Sequence, residues 1–310
     1  MPNVLFAGTD ENWQTYKTLI PEALKAQGVS AVFSRDLAPE TVDYIVYSPR
    51  SSVQDFSPYT RLKAVLSLWA GVERIVGNKT LQAPLCRMVD GGLKKGMAEW
   101  VAGHCLRYHL GMDAHIVNPS HTWRSGMAPP LAEDRTIGIL GLGELGHACA
   151  EALNCLGFKV AGWSRQQKNI KGIDCYAGPD GLETLLAQTE ILVLLLPQTQ
   201  ETTHILNART LALLPQNACI LNPGRGPLID DKALLAALNA NHIAHATLDV
   251  FAKEPLPQNH PYWAQPNVTI TPHIASETRP KSAAQVVAEN IKRGESVLPL
   301  LFQVNQNLGY

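Results

Sequence analysis

Three polar side chains in this chain follow short apolar runs and sit among glycine and proline. Arg225 lies in NPGRGP, directly after the run 218–221. Glu254 lies in LDVFAKEPLP, after a run ending near Asp249, and His273 lies in TPHIAS, after the run 268–270. If these runs are strands of one parallel sheet, all three residues project from its C-terminal edge, where open α/β sheets bind their ligands. An arginine there offers a planar fork for a carboxylate. A histidine with a carboxylate behind it can act as a general acid. Joined to a nicotinamide, these are the parts needed to reduce a small 2-oxo acid. Taken singly, each also reads as an ordinary loop charge.

The nicotinamide has its own signature. Residues 137–165 hold an apolar run ending in Gly141, Gly143 and Gly146, spaced G-x-G-x-x-G, then an Ala- and Leu-rich helical stretch and a second apolar run, 158–163. In such a unit Gly141 permits the tight turn, Gly143 lets a pyrophosphate approach the backbone, and Gly146 lets helix and strand pack closely. Glu144 and Leu145 belong to the same turn, and the amides opening the helix would face the phosphates. The end of the second strand selects between cofactors. NAD sites usually carry Asp or Glu there, to bond the ribose 2′-hydroxyl. Here the position holds Ser164, followed by Arg165 and then Lys168. A hydroxyl and two cations suit a 2′-phosphate, so the cofactor expected is NADP(H). The alternative is that Arg165 and Lys168 are solvated loop charges.

These residues need a scaffold, and the chain has length for two domains with separate cores. Its composition, 45% hydrophobic and 17% charged, is that of a soluble globular protein. A formal net charge of -1 gives no reason to expect nucleic acid or an anionic membrane as partner. No signal-peptide pattern and no apolar window long enough for a membrane span are found, which points to the cytoplasm. Cys86, Cys105, Cys149, Cys155, Cys175 and Cys219 show neither C-x-x-C nor ligand spacing, so they read as small core residues in a reducing compartment, with no metal site. His104, His109 and His115 are five and six apart, unsuited to sharing a helix face as ligands, and read as packing or surface residues.

Strands are expected at 4–7, 29–33, 44–47 and 64–68, with a helix at 13–27 closed by Gly28. A long helix, 97–112, joins this first unit to the second, and residues 119–134 form a loop. Helices at 181–188, 207–214 and 231–238 then alternate with strands at 191–196, 218–221, 246–250 and 268–270, before a final helix at 282–297. Such alternation predicts parallel sheets covered on both faces. Two loops of the first unit follow strands and are candidate substrate contacts: Tyr47 with its neighbours 48–50, and Trp69, Ala70 and Gly71, whose glycine could open an anion nest. Each could equally be a plain strand-to-helix turn.

GLGELG, NPGRGPLID, LDVFAKEPLP and TPHIAS, in this order, resemble the D-isomer-specific 2-hydroxyacid dehydrogenases, and within them the glyoxylate/hydroxypyruvate reductase A branch. The resemblance covers nearly the whole chain. It implies two doubly wound parallel-sheet domains, Rossmann-like and flavodoxin-like, with the active site in the cleft between them. The nucleotide domain would be an insertion, residues 99–273, in a substrate-binding domain formed by 1–98 and 274–310. It implies that Arg225 binds the substrate carboxylate and carbonyl, His273 is the acid/base, and Glu254 orients and charges the histidine. It also implies that Asp249 contacts the nicotinamide carboxamide, and that Leu196, Pro197 and Thr202 line the adenosine side. Pro223 and Gly224 count with the cofactor contacts, and a homodimer is expected. One departure stands out. Many relatives carry a Gly-Ala-Gly-Val-Asp type of loop over the substrate, where this chain has Leu68-Trp69-Ala70-Gly71-Val72-Glu73, and an indole there could narrow the pocket. The expected activity is NADPH-dependent reduction of glyoxylate, hydroxypyruvate or a similar 2-oxo acid. Reduction of bulkier 2-oxo acids and a non-catalytic dinucleotide sensor remain as alternatives.

Overall fold

A computed structural model describes residues 1–116, 121, 123, 128–306 and 308–310. The chain divides into two compact units, Met1–Leu93 with Glu277–Tyr310, and Lys94–Ser276.

The first unit opens with β1 (Asn3–Ala7) and α1 (Asp10–Ala26), followed by β2 (Val32–Ser34), β3 (Tyr44–Tyr47), β4 (Ala64–Ser67) and β5 (Leu85–Cys86). These strands pair in parallel in the order β2-β1-β3-β4-β5. The side chains of β3 and β4 are buried without exception, as expected of strands covered on both faces. Thr9 starts α1 by accepting the Asn12 amide, and Gly28, at φ +74°, stops it. The helix buries Tyr16, Ile20, Ala23 and Leu24 on one sheet face, beside Ala283, Val287 and Ile291 of the last helix. A second core, with Ile45, Val65, Ile75 and Leu85, fills the opposite face. Full burial contributes roughly 1.5–3 kcal/mol for each Val, Leu or Ile, so these two layers dominate the unit's stability.

The long helix α2 (Gly91–His109) begins six residues before the expected start. Asp90, fully buried, accepts the amides of Gly92 and Leu93 at 2.9 and 3.3 Å and thus caps it. Gly111, at φ +60°, ends the run. A short α3 (Asp113–Ile116) follows. The loop expected over residues 119–134 lies partly outside the described residues, and Ala132–Asp134 forms a single 3₁₀ turn.

The second unit then alternates: β6 (Thr136–Leu140), α4 (Glu144–Cys155), β7 (Lys159–Ser164), β8 (Asp174–Ala177), α5 (Gly178–Gln188), β9 (Ile191–Leu194), α6 (Ala208–Leu211), β10 (Ala218–Asn222), α7 (Asp231–Asn239), β11 (Ile243–Leu248) and β12 (Val268–Ile270). Its parallel sheet has the order β12-β11-β10-β9-β6-β7-β8, with cores on both faces. The last helix, α8 (Pro280–Glu295), belongs to the first unit.

Several expected bounds move. The strand expected at 246–250 is Ile243–Leu248, because pairing with β10 starts at Ala218 against Ile243, and Asp249 leaves the ladder to bond a loop. The strand expected at 29–33 is Val32–Ser34. Strands β5 and β8 were not expected; both are short edge strands without a clear alternation. Four cysteines are buried as expected, but Cys155 is exposed and Cys175 half-buried. Cys155 ends α4 on the face away from its core, where spacing in the sequence gave no warning.

Candidate active site

Two loops at the ends of β10 and β11 carry Arg225 and Glu254, and the loop after β12 carries His273. The sheet order puts these strands side by side, which brings residues 19 to 48 positions apart to one edge. His273 Nδ1 lies 2.8 Å from Glu254 Oε2. A carboxylate only accepts, so Nδ1 carries the hydrogen and Nε2 is the ring atom left for exchange with a ligand. Glu254 is fixed in turn, its Oε1 accepting the Phe251 amide at 2.9 Å. The pair is accessible, with side-chain exposures of 51% and 35%.

The His273 backbone is held in the left-handed region, φ +57°, which costs a non-glycine residue about 1 kcal/mol or more. The compensation comes from Asp249, 1% exposed. Its Oδ1 accepts Thr271 Oγ1 at 2.5 Å and the Ile274 amide at 2.9 Å, while Oδ2 accepts the Ala275 amide at 2.9 Å. Its carbonyl accepts the His273 amide at 2.8 Å. One buried carboxylate therefore shapes the turn that presents the imidazole.

The Arg225 loop is built similarly. Asn222, buried at the end of β10, accepts the Gly224 amide at 3.1 Å and donates to the Arg225 carbonyl at 3.0 Å. Arg225 Nη1 donates to the Gly224 carbonyl at 2.7 Å. A Cβ on Gly226 would lie 2.0 Å from the Phe251 carbonyl carbon, so only glycine lets this loop touch the one bearing Glu254. Pro223 and Gly224 are buried beneath.

The glycine turn between β6 and α4 behaves as its spacing predicts. Gly141 adopts φ +107°, and a Cβ on Gly146 would meet the Gly141 carbonyl oxygen at 1.7 Å. A Cβ on Gly143 would meet open space. Gly143 is the N-cap of α4 and supplies no side chain to its amides. The end of that helix is thus open on the side from which a phosphate would approach, so the turn fits a dinucleotide. Beside it, Ser164 ends β7 with its hydroxyl donating to the Gln166 carbonyl at 2.8 Å, and Arg165 is exposed. Lys168 reaches back to donate to the Leu142 carbonyl at 2.5 Å, so it stands over the glycine turn. No carboxylate occupies the β7 end, and that chemistry fits a 2′-phosphate better than a bare hydroxyl. Past β9, Leu196 is buried and Thr202 closes its loop, donating to the Pro197 carbonyl at 2.7 Å and accepting the Thr199 amide at 2.8 Å.

In the first unit Trp69 is 37% exposed, and its indole packs under the Arg50 guanidinium at 5.7 Å. Its backbone is tied down: the amide donates to Ser67 Oγ at 3.0 Å, and the carbonyl accepts the Met88 amide at 3.0 Å. Ala70 and Gly71 are half-buried beside it. Tyr47 is different. It is 2% exposed and packs on Phe56, 5.8 Å between ring centres, inside the core of its own unit. Its position at the end of a strand suggests a ligand contact, but the side chain lies in the interior.

The residues that sequence reasoning missed are supports: Asn222, Gly226 and Thr271 hold the loops, and Lys94 pairs with Glu144 of the glycine turn. Only Gly226 carried a signal, as the second glycine of GRG.

Comparison with known proteins places the chain in a family and agrees with its fold. Residues 104–275 match the family model described as D-isomer specific 2-hydroxyacid dehydrogenase, NAD binding domain. Glyoxylate/hydroxypyruvate reductase A of Yersinia enterocolitica is 40% identical over 265 residues, 83% of this chain and 84% of that protein. Among solved structures, a D-isomer specific 2-hydroxyacid dehydrogenase from Xanthobacter autotrophicus, in complex with NADPH and MES, superposes with a TM-score of 0.91. It is 36% identical, with 100% of this chain and 99% of that chain covered. An NADPH-dependent glyoxylate/hydroxypyruvate reductase from Sinorhizobium meliloti, in complex with NADP and sulfate, gives 0.85 at 34% identity, with both chains fully covered. The chain belongs to the D-isomer-specific 2-hydroxyacid dehydrogenase family.

Proposed function

We propose that this protein is an NADPH-dependent reductase of small 2-oxo acids, glyoxylate or hydroxypyruvate, forming the 2-hydroxy acid. The observation that carries the reading is the His273–Glu254 pair at 2.8 Å on the same sheet edge as Arg225. Relatives named for this reaction, and neighbours bound to NADPH or NADP, support it.

When bound, the reduced nicotinamide supplies a hydride to the carbonyl carbon. The chain's own residues do the rest. Arg225 grips the substrate carboxylate and polarises the carbonyl. The imidazolium of His273 delivers the proton from Nε2 to the carbonyl oxygen, whose negative charge grows as the carbon is reduced. Glu254, engaged at Nδ1, orients the ring and stabilises its cationic form. Carbon thus gains a hydride and oxygen a proton, leaving the 2-hydroxy acid.

The inserted unit serves as the nucleotide domain. The backbone of residues 141–146, with Gly141, Gly143 and Gly146 and the amides of Glu144 and Leu145, cradles the pyrophosphate, the Glu144 side chain being turned to Lys94, while Ser164, Arg165 and Lys168 serve the 2′-phosphate. Leu196, Pro197, Thr202, Pro223, Gly224 and Asp249 complete the cofactor contacts. Trp69, Ala70 and Gly71 of the first unit serve the substrate. A homodimer is supported by the exposed apolar residues Leu110, Met112 and Ile116 around the end of α2, 44%, 39% and 66% accessible in the single chain. A cytoplasmic location is supported by free thiols, and no helix among the described residues is long and apolar enough to cross a membrane. The test is NADPH oxidation with glyoxylate, hydroxypyruvate and phenylpyruvate. Turnover of the first two supports the proposal; preference for phenylpyruvate supports the bulkier class; no turnover on any supports a sensor.

A further inference from the structure

Glu144 is an anomaly in a phosphate-binding turn. It is the first residue of α4 and the only acid in GLGELG, so its carboxylate sits at the helix end whose amides attract anions. For the helix alone this is favourable. For a pyrophosphate approaching the same amides it is a competing negative charge. Lys94, fifty residues earlier on α2, makes an ion pair with Glu144 through Nζ and Oε2. The two side chains are 33% and 42% exposed, so salt screens the pair in part and its effect is read at low ionic strength. Lys168 stands on the same turn through the Leu142 carbonyl. The turn therefore holds one carboxylate and two ammonium groups.

Resting on the reading of this turn as the pyrophosphate site, we propose that Lys94 is a specific determinant of dinucleotide affinity. It cancels the Glu144 carboxylate and so leaves the α4 amides available to the pyrophosphate. Lys94 acts through Glu144, as a positioning residue. Without it, Glu144 swings onto the amides and repels the ligand. The effect falls on the pyrophosphate more than on the 2′-phosphate, since Ser164 and Arg165 lie at the end of another strand, β7, and only Lys168 reaches from there to the glycine turn.

The experiment is a fluorescence titration of NADPH into the full-length protein at low salt, with thermal unfolding as a check on folding. Lys94→Gln should weaken NADPH binding at least tenfold. Glu144→Gln alone should bind NADPH as tightly as wild type or more tightly, which tests the idea even if Lys94→Gln folds poorly. The double variant should return to within threefold of wild type, the signature of charge compensation. Adenosine 2′-monophosphate, which has no pyrophosphate, should bind wild type and Lys94→Gln within twofold of each other. A Lys94→Gln protein that binds NADPH normally overturns the proposal. So does a double variant as weak as Lys94→Gln, or a Glu144→Gln protein that itself binds weakly. Failure of wild type to bind NADPH at all would instead sink the cofactor assignment beneath it.

Discussion

Replacing Asp249 by asparagine should unlock the loop that presents His273. The carboxylate accepts three hydrogen bonds, from Thr271 Oγ1, the Ile274 amide and the Ala275 amide, and is 1% exposed. An asparagine can keep its oxygen toward Thr271 and Ile274, but its amino group then faces the Ala275 N–H, donor against donor. Leaving a buried donor unpaired costs about 1–3 kcal/mol, and trading two charge-assisted bonds for neutral ones costs about 0.5–1 kcal/mol each. The sum is about 2–5 kcal/mol, enough to release a turn whose central residue is held at φ +57°. Urea unfolding should show that loss, and kcat for 2-oxo acid reduction should fall at least about tenfold, or 1.4 kcal/mol of barrier. Thr271→Val removes one bond only and should cost about 1 kcal/mol. An Asp249→Asn protein of wild-type stability and kcat would refute the reasoning. A variant of normal stability with only NADPH affinity reduced would leave Asp249 its cofactor contact and take away its role in the loop.

The remaining predictions concern cofactor, substrate and pH. The wild type should prefer NADPH over NADH at least about tenfold in kcat/KM, some 1.4 kcal/mol, and Arg165→Ala should lose most of that preference through NADPH alone. Arg225→Lys keeps the charge but loses the planar fork, so steady-state kinetics should give a higher KM and a lower kcat, and a near-normal kcat/KM would remove Arg225 from the site. Burial, helped by the Arg107 guanidinium, lowers the His245 imidazole from 6.5 to about 4. Its folded value is depressed, so the unfolded chain binds the proton first; the contribution to stability is whole above pH 6.5 and is lost as pH falls toward 4. Between pH 8 and 5 this is worth about 2 kcal/mol before allowing for the ring's partial exposure, so about 1–2 kcal/mol. Urea unfolding of His245→Gln should show a shallower acid limb, and an unchanged limb would contradict the burial argument.

What was legible in the sequence is what only certain residues can do. Gly141 and Gly146 were readable because a positive φ and a 1.7 Å approach tolerate no side chain, and these needs recur wherever a strand turns tightly into a helix. Arg225, Glu254 and His273 were readable because polar residues directly after apolar runs land on one sheet edge. Relations across the fold were not legible. Lys94 and Glu144 are fifty residues apart, and nothing in either local pattern announces the pair. Asp249 reads as the last residue of a strand, and its bonds to residues 271–275 exist only once β11 and β12 are neighbours. Tyr47 shows the opposite error. A tyrosine after a strand reads as a ligand contact, yet with sheet faces covered on both sides its ring went to the core.

The central claim is that His273 supplies the proton, and its most direct test is kcat for glyoxylate reduction by His273→Ala with NADPH saturating. A positioned acid is usually worth about 10²–10⁴ in rate, so kcat should fall by that factor while NADPH binding stays within about twofold of wild type. A His273→Ala enzyme that reduces glyoxylate at the wild-type rate would contradict the account.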